Sequence, residues 1–230
     1  MRQFLIFALI CFFLNVLAAQ QYHFINYSIE DGLAQSQVET MCQDNKGNIW
    51  IGTLGGISRF DGRKFINISS ENGLLDNQIN TIFQDSRGNI WMGVLGGLTC
   101  FDGTDFKNYP LPVTHKEYNI VAVAEAKDGS FWLGTDGTGL CHFLPQNSQN
   151  NKASFEFFTT TDGLPHNTVR SIFYENNNQL LIGTRNGICM YDGKSFQPVN
   201  LPGGEIPNVS ALLKDTKEHI WMATYGQGVY

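Results

Sequence analysis

Residues able to act on a substrate are few in this chain and lie far apart. The five histidines, His23, His115, His142, His166 and His219, show no paired metal spacing, and a surface or interface position is the expectation for each. The strings Asp44 to Asn48 and Asp85 to Asn89 begin like a calcium loop. They lack the Glu that closes one and they recur, so they are expected to be structural turns. Gly134-Thr135-Asp136-Gly137-Thr138-Gly139 is rich in glycine but precedes no helix that would hold a phosphate. Gly-x-x-x-x-Gly-Lys, His-Glu-x-x-His and Gly-x-Ser-x-Gly are all missing from the sequence. No catalytic residue, metal site or cofactor is expected, which leaves polar loop residues as the chemistry worth placing.

The elements that would place them repeat. Gly47-Asn48-Ile49-Trp50-Ile51-Gly52-Thr53 returns as Gly88-Asn89-Ile90-Trp91-Met92-Gly93 and as Gly129-Ser130-Phe131-Trp132-Leu133-Gly134-Thr135. Gln179 to Thr184 is a fourth copy with Leu181 in the Trp slot, and His219 to Thr224 is a fifth. Trp50, Trp91, Trp132, Leu181 and Trp221 stand 41, 41, 49 and 40 residues apart. Within a unit, Ser36 to Asp44 and Gln78 to Asp85 alternate apolar and polar residues, as half-buried strands do. Asp-x-x-Gly-Asn turns the chain into a second strand, Ile49 to Thr53. Leu54-Gly55-Gly56 leads to a third strand, and Asp61-Gly62 leads to a fourth at Lys64 to Ile68. This pattern predicts an all-β fold, a β-propeller of four-stranded antiparallel blades. The units are expected at about 31–69, 72–110, 118–161, 162–200 and 203–230, the last incomplete.

Phe24-Ile25-Asn26-Tyr27-Ser28 followed by Asp31-Gly32-Leu33 copies Phe65 to Ser69 and Asn72 to Leu74, and Phe155 to Leu164 copies it again. Residues 24–28 are thus expected to form an outer, fourth-type strand with no preceding three. Such a strand closes a ring by completing the last blade. That blade breaks off at Tyr230, so a fragment of a longer propeller is the expectation, and a small five-bladed ring is the alternative.

Composition agrees with short strands and tight turns: 42% apolar residues, 13% aromatic, and only 16% charged. A formal net charge of −6 argues against holding nucleic acid through the overall field. Arg2, the apolar run Phe4 to Leu14 and Val16-Leu17-Ala18-Ala19 read as a secretory signal peptide over residues 1–19, with an uncleaved anchor as the alternative. Cys11 would leave with it. Cys42, Cys100, Cys141 and Cys189 remain, an even number in an oxidising compartment. Cys141 and Cys189 hold equivalent third-strand positions in neighbouring blades. Sheets pack about 10 Å apart, too far for a disulfide, so buried free thiols are expected.

Taken together, Asp31-Gly32-Leu33, Asp44, Gly47 to Thr53, Gly56-Ile57 and Phe60-Asp61-Gly62 resemble the two-component regulator propeller repeat. The second unit matches nearly as well. The fourth keeps Asp162 to Pro165 and Asn186-Gly187-Ile188, and the third keeps its Trp132 core but lacks the Asp-Gly-Leu string. The resemblance implies the extracytoplasmic half of a one-pass sensor, often a hybrid histidine kinase of Bacteroidetes. Such proteins carry two seven-bladed propellers, a small β-sandwich, a membrane helix and cytoplasmic output domains. It further implies oligosaccharide ligands, a homodimer and a periplasmic location.

For ligand contact, specificity is expected where blades differ, because the repeated residues already serve the fold. Loops leading into first strands contribute Gln35, Gln37, Asn77, Gln78, His166 and Asn167. Loops between second and third strands contribute Asp136, Arg185 and Asn186 at the same mouth. Amides beside aromatics suit neutral sugars, and the same residues also serve as ordinary turn formers. A secreted protein-docking propeller is the alternative function. A propeller hydrolase or lyase is a third. Sialidases place Ser or Thr ahead of the repeated Asp and use an Arg triad, whereas here Gln43 and Gln84 precede it. Propeller lyases need a His and acid cluster with a metal, and the sequence displays none.

Overall fold

The computed structural model describes residues 24–112, 118–146, 152–174, 179–201 and 207–230. The signal peptide, Cys11, His23 and His115 lie outside the described residues. Each Trp-centred repeat folds as one antiparallel sheet. The first holds β1 (Val38–Gln43), β2 (Ile49–Thr53), β3 (Gly56–Phe60) and β4 (Phe65–Ile68), hydrogen-bonded in that order. The second holds β5 (Ile79–Gln84), β6 (Ile90–Val94), β7 (Gly97–Phe101) and β8 (Phe106–Pro110). The third holds β9 (Ile120–Glu125), β10 (Phe131–Thr135), β11 (Leu140–Leu144) and β12 (Ser154–Phe158). The fourth holds β13 (Val169–Tyr174), β14 (Leu180–Thr184), β15 (Gly187–Tyr191) and β16 (Phe196–Pro198), and β17 (Val209–Lys214) pairs with β18 (Ile220–Thr224). The first strands pack in series, β1 on β5, β5 on β9, β9 on β13 and β13 on β17. They are the inner strands, and the sheets radiate from them as propeller blades.

A glycine in the second strand of each of the first four units permits this approach. A Cβ on Gly52 would lie 2.7 Å from Ile79 Cγ2, one on Gly93 2.5 Å from the Ile120 carbonyl oxygen, and one on Gly134 2.6 Å from that of Val169. Between blades the core is aromatic and aliphatic: Trp91 lies against Phe131 and Phe143, with Leu133 and Cys141 beside them. Burial pushes the Cys100, Cys141 and Cys189 thiols up to about 12, and all three are free and buried, as is expected for thiols inside packed sheets.

Residues 24–28 depart from expectation. They form no strand, and no ladder joins them to a sheet. A strand needs a hydrogen-bonding neighbour, and residues 24–28 pair with none of the described sheets. Their packing is nevertheless that of a fourth strand against the next blade. Tyr27 sits 5.1 Å from the Phe60 ring and 5.5 Å from that of Phe65, matching Ile68 in the cluster that holds Phe101 and Phe106.

Candidate functional site

The loops leading into the first strands are built on one turn used three times. Asp31 accepts from the Ser28 backbone N–H at 2.8 Å, Asn72 from Ser69 at 3.0 Å and Asp162 from Thr159 at 2.8 Å. Gly32, Gly73 and Gly163 follow at φ 105°, 117° and 108°, which only glycine adopts without strain. Leu33, Leu74 and Leu164 are then driven inward and buried. The Asp-Gly-Leu string is thus a cap, a left-handed step and a plug.

That turn consumes several of the sequence-predicted ligand residues. The Asn77 side-chain oxygen accepts from the Ser70 backbone N–H at 2.7 Å, and Asn167 does the same for Thr160 at 2.8 Å. His166 Nδ1 accepts from the Thr168 backbone N–H at 2.9 Å. Gln37 donates to Glu39 at 2.6 Å. Gln78 reaches across to the third blade, donating to Asn80 at 3.1 Å and Asn119 at 3.4 Å, while Asn80 donates to Asn119 at 3.1 Å. Asp136 joins the same rim because its backbone N–H donates to the Asn119 carbonyl at 3.0 Å. Arg185 and Asn186 are exposed, and the Arg185 N–H donates to the Thr168 carbonyl at 3.1 Å. The side-chain oxygen of Gln35 is buried with no partner. Gln78 and Asp136 therefore meet at one rim, Asn167 and Arg185 at the next, and among the described residues no hydrogen bond ties Gln35 or Gln37 to either.

A cleft of about 700 Å³ lies at the opposite end, between the third and fourth blades. Its lining includes Asp128, Trp132, His142, Glu156, Phe158 and Tyr191. The β9–β10 hairpin supplies Asp128 and Ser130, and β10, β11 and β12 supply Trp132, His142 and Glu156. His142 stacks on Trp132 with ring centroids 4.4 Å apart. A polar relay fixes it there. Ser130 donates its hydroxyl to Asp128 at 2.6 Å, and His142 Nε2 lies 2.8 Å from Ser130 Oγ. His142 Nδ1 faces Glu156 at 4.0 Å. The Ser130 hydroxyl holds the Asp128 carboxyl below its ordinary value. Burial holds the imidazole below its ordinary value, against the pull of Asp128 and Glu156, so His142 is neutral at neutral pH. Ser130, His142 and Glu156 superficially resemble a nucleophile, base and orienting acid. Ser130 is only 2% exposed and its proton already goes to Asp128, so the relay positions His142 and offers no open nucleophile.

Sequence reasoning singled out neither Asp128, Ser130 nor Glu156. The signal was available: the residue six before Trp132 is Ala126, where the first, second and fifth units have Asp44, Asp85 and Asp215.

The two component regulator propeller model matches residues 32–55 and 73–96, each running from an Asp-Gly-Leu-type turn through the second strand. No curated protein matches the chain. The extracellular domain assigned to the hybrid two component system BT3049 of B. thetaiotaomicron is 27% identical with a TM-score of 0.71, covering 89% of this chain and 27% of that one. The corresponding domain of BT4673 from the same organism is 25% identical with a TM-score of 0.68, covering 84% and 26%. This chain therefore spans about a quarter of the length of those domains. Virginiamycin B lyase from Staphylococcus aureus shares the fold at 14% identity, with a TM-score of 0.63 over 81% of this chain and 63% of that one. At that identity the likeness concerns fold alone. Two units of this β-propeller match the two component regulator propeller model, and the chain is similar to extracellular domains of hybrid two-component systems.

Proposed function

We propose that the chain is an extracytoplasmic, ligand-sensing propeller of a two-component receptor. In this reading it detects a soluble oligosaccharide in the periplasm, and a homodimeric receptor relays the event to a cytoplasmic histidine kinase. The observation that carries it is the co-occurrence of the matched repeats with 25–27% identity to extracellular domains of hybrid two-component systems. The geometry supports it in two ways. The mouth is held rigid by hydrogen bonds from the loops between second and third strands, such as Gly139 N–H to the Asn167 carbonyl at 2.8 Å. Amides and acids stand on that rim, as a hydroxyl-rich ligand requires.

A propeller enzyme is the second reading, favoured only by the Ser130–His142–Glu156 arrangement, and the burial of Ser130 weighs against it. A thermal-unfolding screen of the intact protein against oligosaccharides separates ligand binding from a purely structural propeller. A sensed sugar at 100 times its Kd is expected to stabilise the fold by about 2.7 kcal/mol. A flat response across neutral and acidic oligosaccharides would remove the sensing reading.

A further inference from the structure

In three of the units one carboxylate fills the same slot beneath the tryptophan. Asp85 accepts from the Arg87 and Asn89 backbone N–H groups at 3.0 and 2.8 Å, from the Asn89 side chain at 2.8 Å and from the Trp91 indole N–H at 2.9 Å. Asp44 makes the same set with Trp50 at 2.9 Å, and Asp215 bonds Trp221 at 3.0 Å with His219 Nδ1 in place of the Asn amide. The third unit keeps the turn without the carboxylate. Its backbone bonds, Ala126 N–H to Ser130 carbonyl at 2.8 Å and Gly129 N–H to Ala126 carbonyl at 3.0 Å, match those at Asp85, 2.9 and 3.0 Å. A methyl group cannot accept a hydrogen bond, and among the described residues nothing accepts from the Trp132 indole N–H. Ala126 and Trp132 both line the cleft between the third and fourth blades, so the slot that a carboxylate fills in three other units borders it here.

What belongs in that space follows from its walls. The Trp132 N–H faces the cleft, so an occupant that displaces water from it must bring an acceptor of its own. An anion is disfavoured, since Asp128 and Glu156 outnumber the one lysine of the lining, Lys127. Those carboxylates favour a ligand with hydroxyl donors, and the rings of Phe158 and Tyr191 favour one with an apolar face. We propose that this cleft binds a neutral sugar ring, one of whose oxygens accepts the Trp132 indole N–H in place of the repeat's own aspartate. The site goes beyond the sensing reading, because it lies at the hairpin end of the blades and not at the mouth where ligand contact was expected.

The test is titration calorimetry of the intact protein with maltose, cellobiose, lactose and xylobiose, and with digalacturonate as the anionic counterpart. At least one neutral disaccharide is expected to bind, and digalacturonate is not. Ala126→Asp restores the residue found in three other units, so it is expected to fold with an unchanged or higher Tm. It is also expected to weaken binding by at least about tenfold, because its carboxylate takes the indole N–H. Trp132→Phe keeps the ring and removes the donor, and is expected to weaken binding by about three- to tenfold. Arg63→Ala, on an exposed turn of the first blade, is expected to leave it unchanged. The proposal is overturned if no neutral disaccharide binds at about 10 mM, if digalacturonate binds best, or if folded Ala126→Asp and Trp132→Phe bind as the wild type does. Binding lost only in Gln78→Ala, at the mouth, would overturn the cleft site while leaving the sensing reading standing.

Discussion

At the scale of single residues, the aspartates Asp44, Asp85 and Asp215 each tie a hairpin turn to the tryptophan six residues on. Burial alone would raise the Asp44 and Asp85 carboxyls, but hydrogen bonds from the Asn and Trp side chains and from the backbone outweigh it and hold both below 3.8. Asp85→Ala leaves the Trp91 indole and two backbone N–H groups without their acceptor. It is expected to cost about 1–3 kcal/mol in urea unfolding. An unfolding midpoint equal to wild type would show that water replaces the carboxylate without loss. The same bonds set a pH dependence. Because the folded-state values lie below the unfolded ones, the stabilisation is complete above about pH 4 and is lost as pH falls through the folded values. The urea midpoint is therefore expected to fall slightly as pH drops below about 6.5, where His142 takes up a proton more readily unfolded, and more steeply below about pH 4. The turn was legible in Asp-x-x-Gly-Asn. The reach from Asp44 to Trp50 was not, because it crosses the hairpin and depends on how the indole is rotated.

At the scale of elements, alternation and turn residues placed the first and second strands to within two residues, since side-chain period and left-handed glycines are local properties. The expected outer strand at residues 24–28 did not form, because pairing depends on a neighbour that local sequence cannot specify. Close approach between blades was legible only as Gly52, Gly93, Gly134 and Gly183, two residues after the Trp slot in the first four units. Gly93→Ala forces a methyl against the Ile120 carbonyl oxygen, and it is expected to cost about 2 kcal/mol or more, lowering Tm by several degrees. A neutral result would mean that β6 and β9 can separate freely. The last hairpin offers the converse. Glu218 stands at φ 70° where the first three units place Gly47, Gly88 and Gly129. Glu218→Gly is expected to raise stability by about 0.5–1 kcal/mol, measured by urea midpoint, as left-handed strain is relieved. A loss would indicate that its ion pair with Lys214 matters more than the backbone.

At the scale of the whole molecule, the two ends of the blades differ in kind. The mouth is bordered by turns that use Asn77, Asn167 and His166 for their own hydrogen bonds. The hairpin end carries a cleft where one repeat lost its aspartate. A repeat shows its fold in what recurs and its specificity in what does not. The fold was therefore readable from the Trp spacing, while the cleft depended on one alanine among aspartates. That alanine matters only once Trp132, His142 and Tyr191 are known to meet across two blades. Binding without turnover is what separates a sensing propeller from an enzyme of the same fold. The deciding measurement is a calorimetric titration of the intact protein with neutral oligosaccharides, followed by mass spectrometry of the sugar recovered from the cell. Saturable binding with every sugar returned intact is expected. No binding heat for any sugar, or recovery of shortened or unsaturated products, would contradict a sensing role.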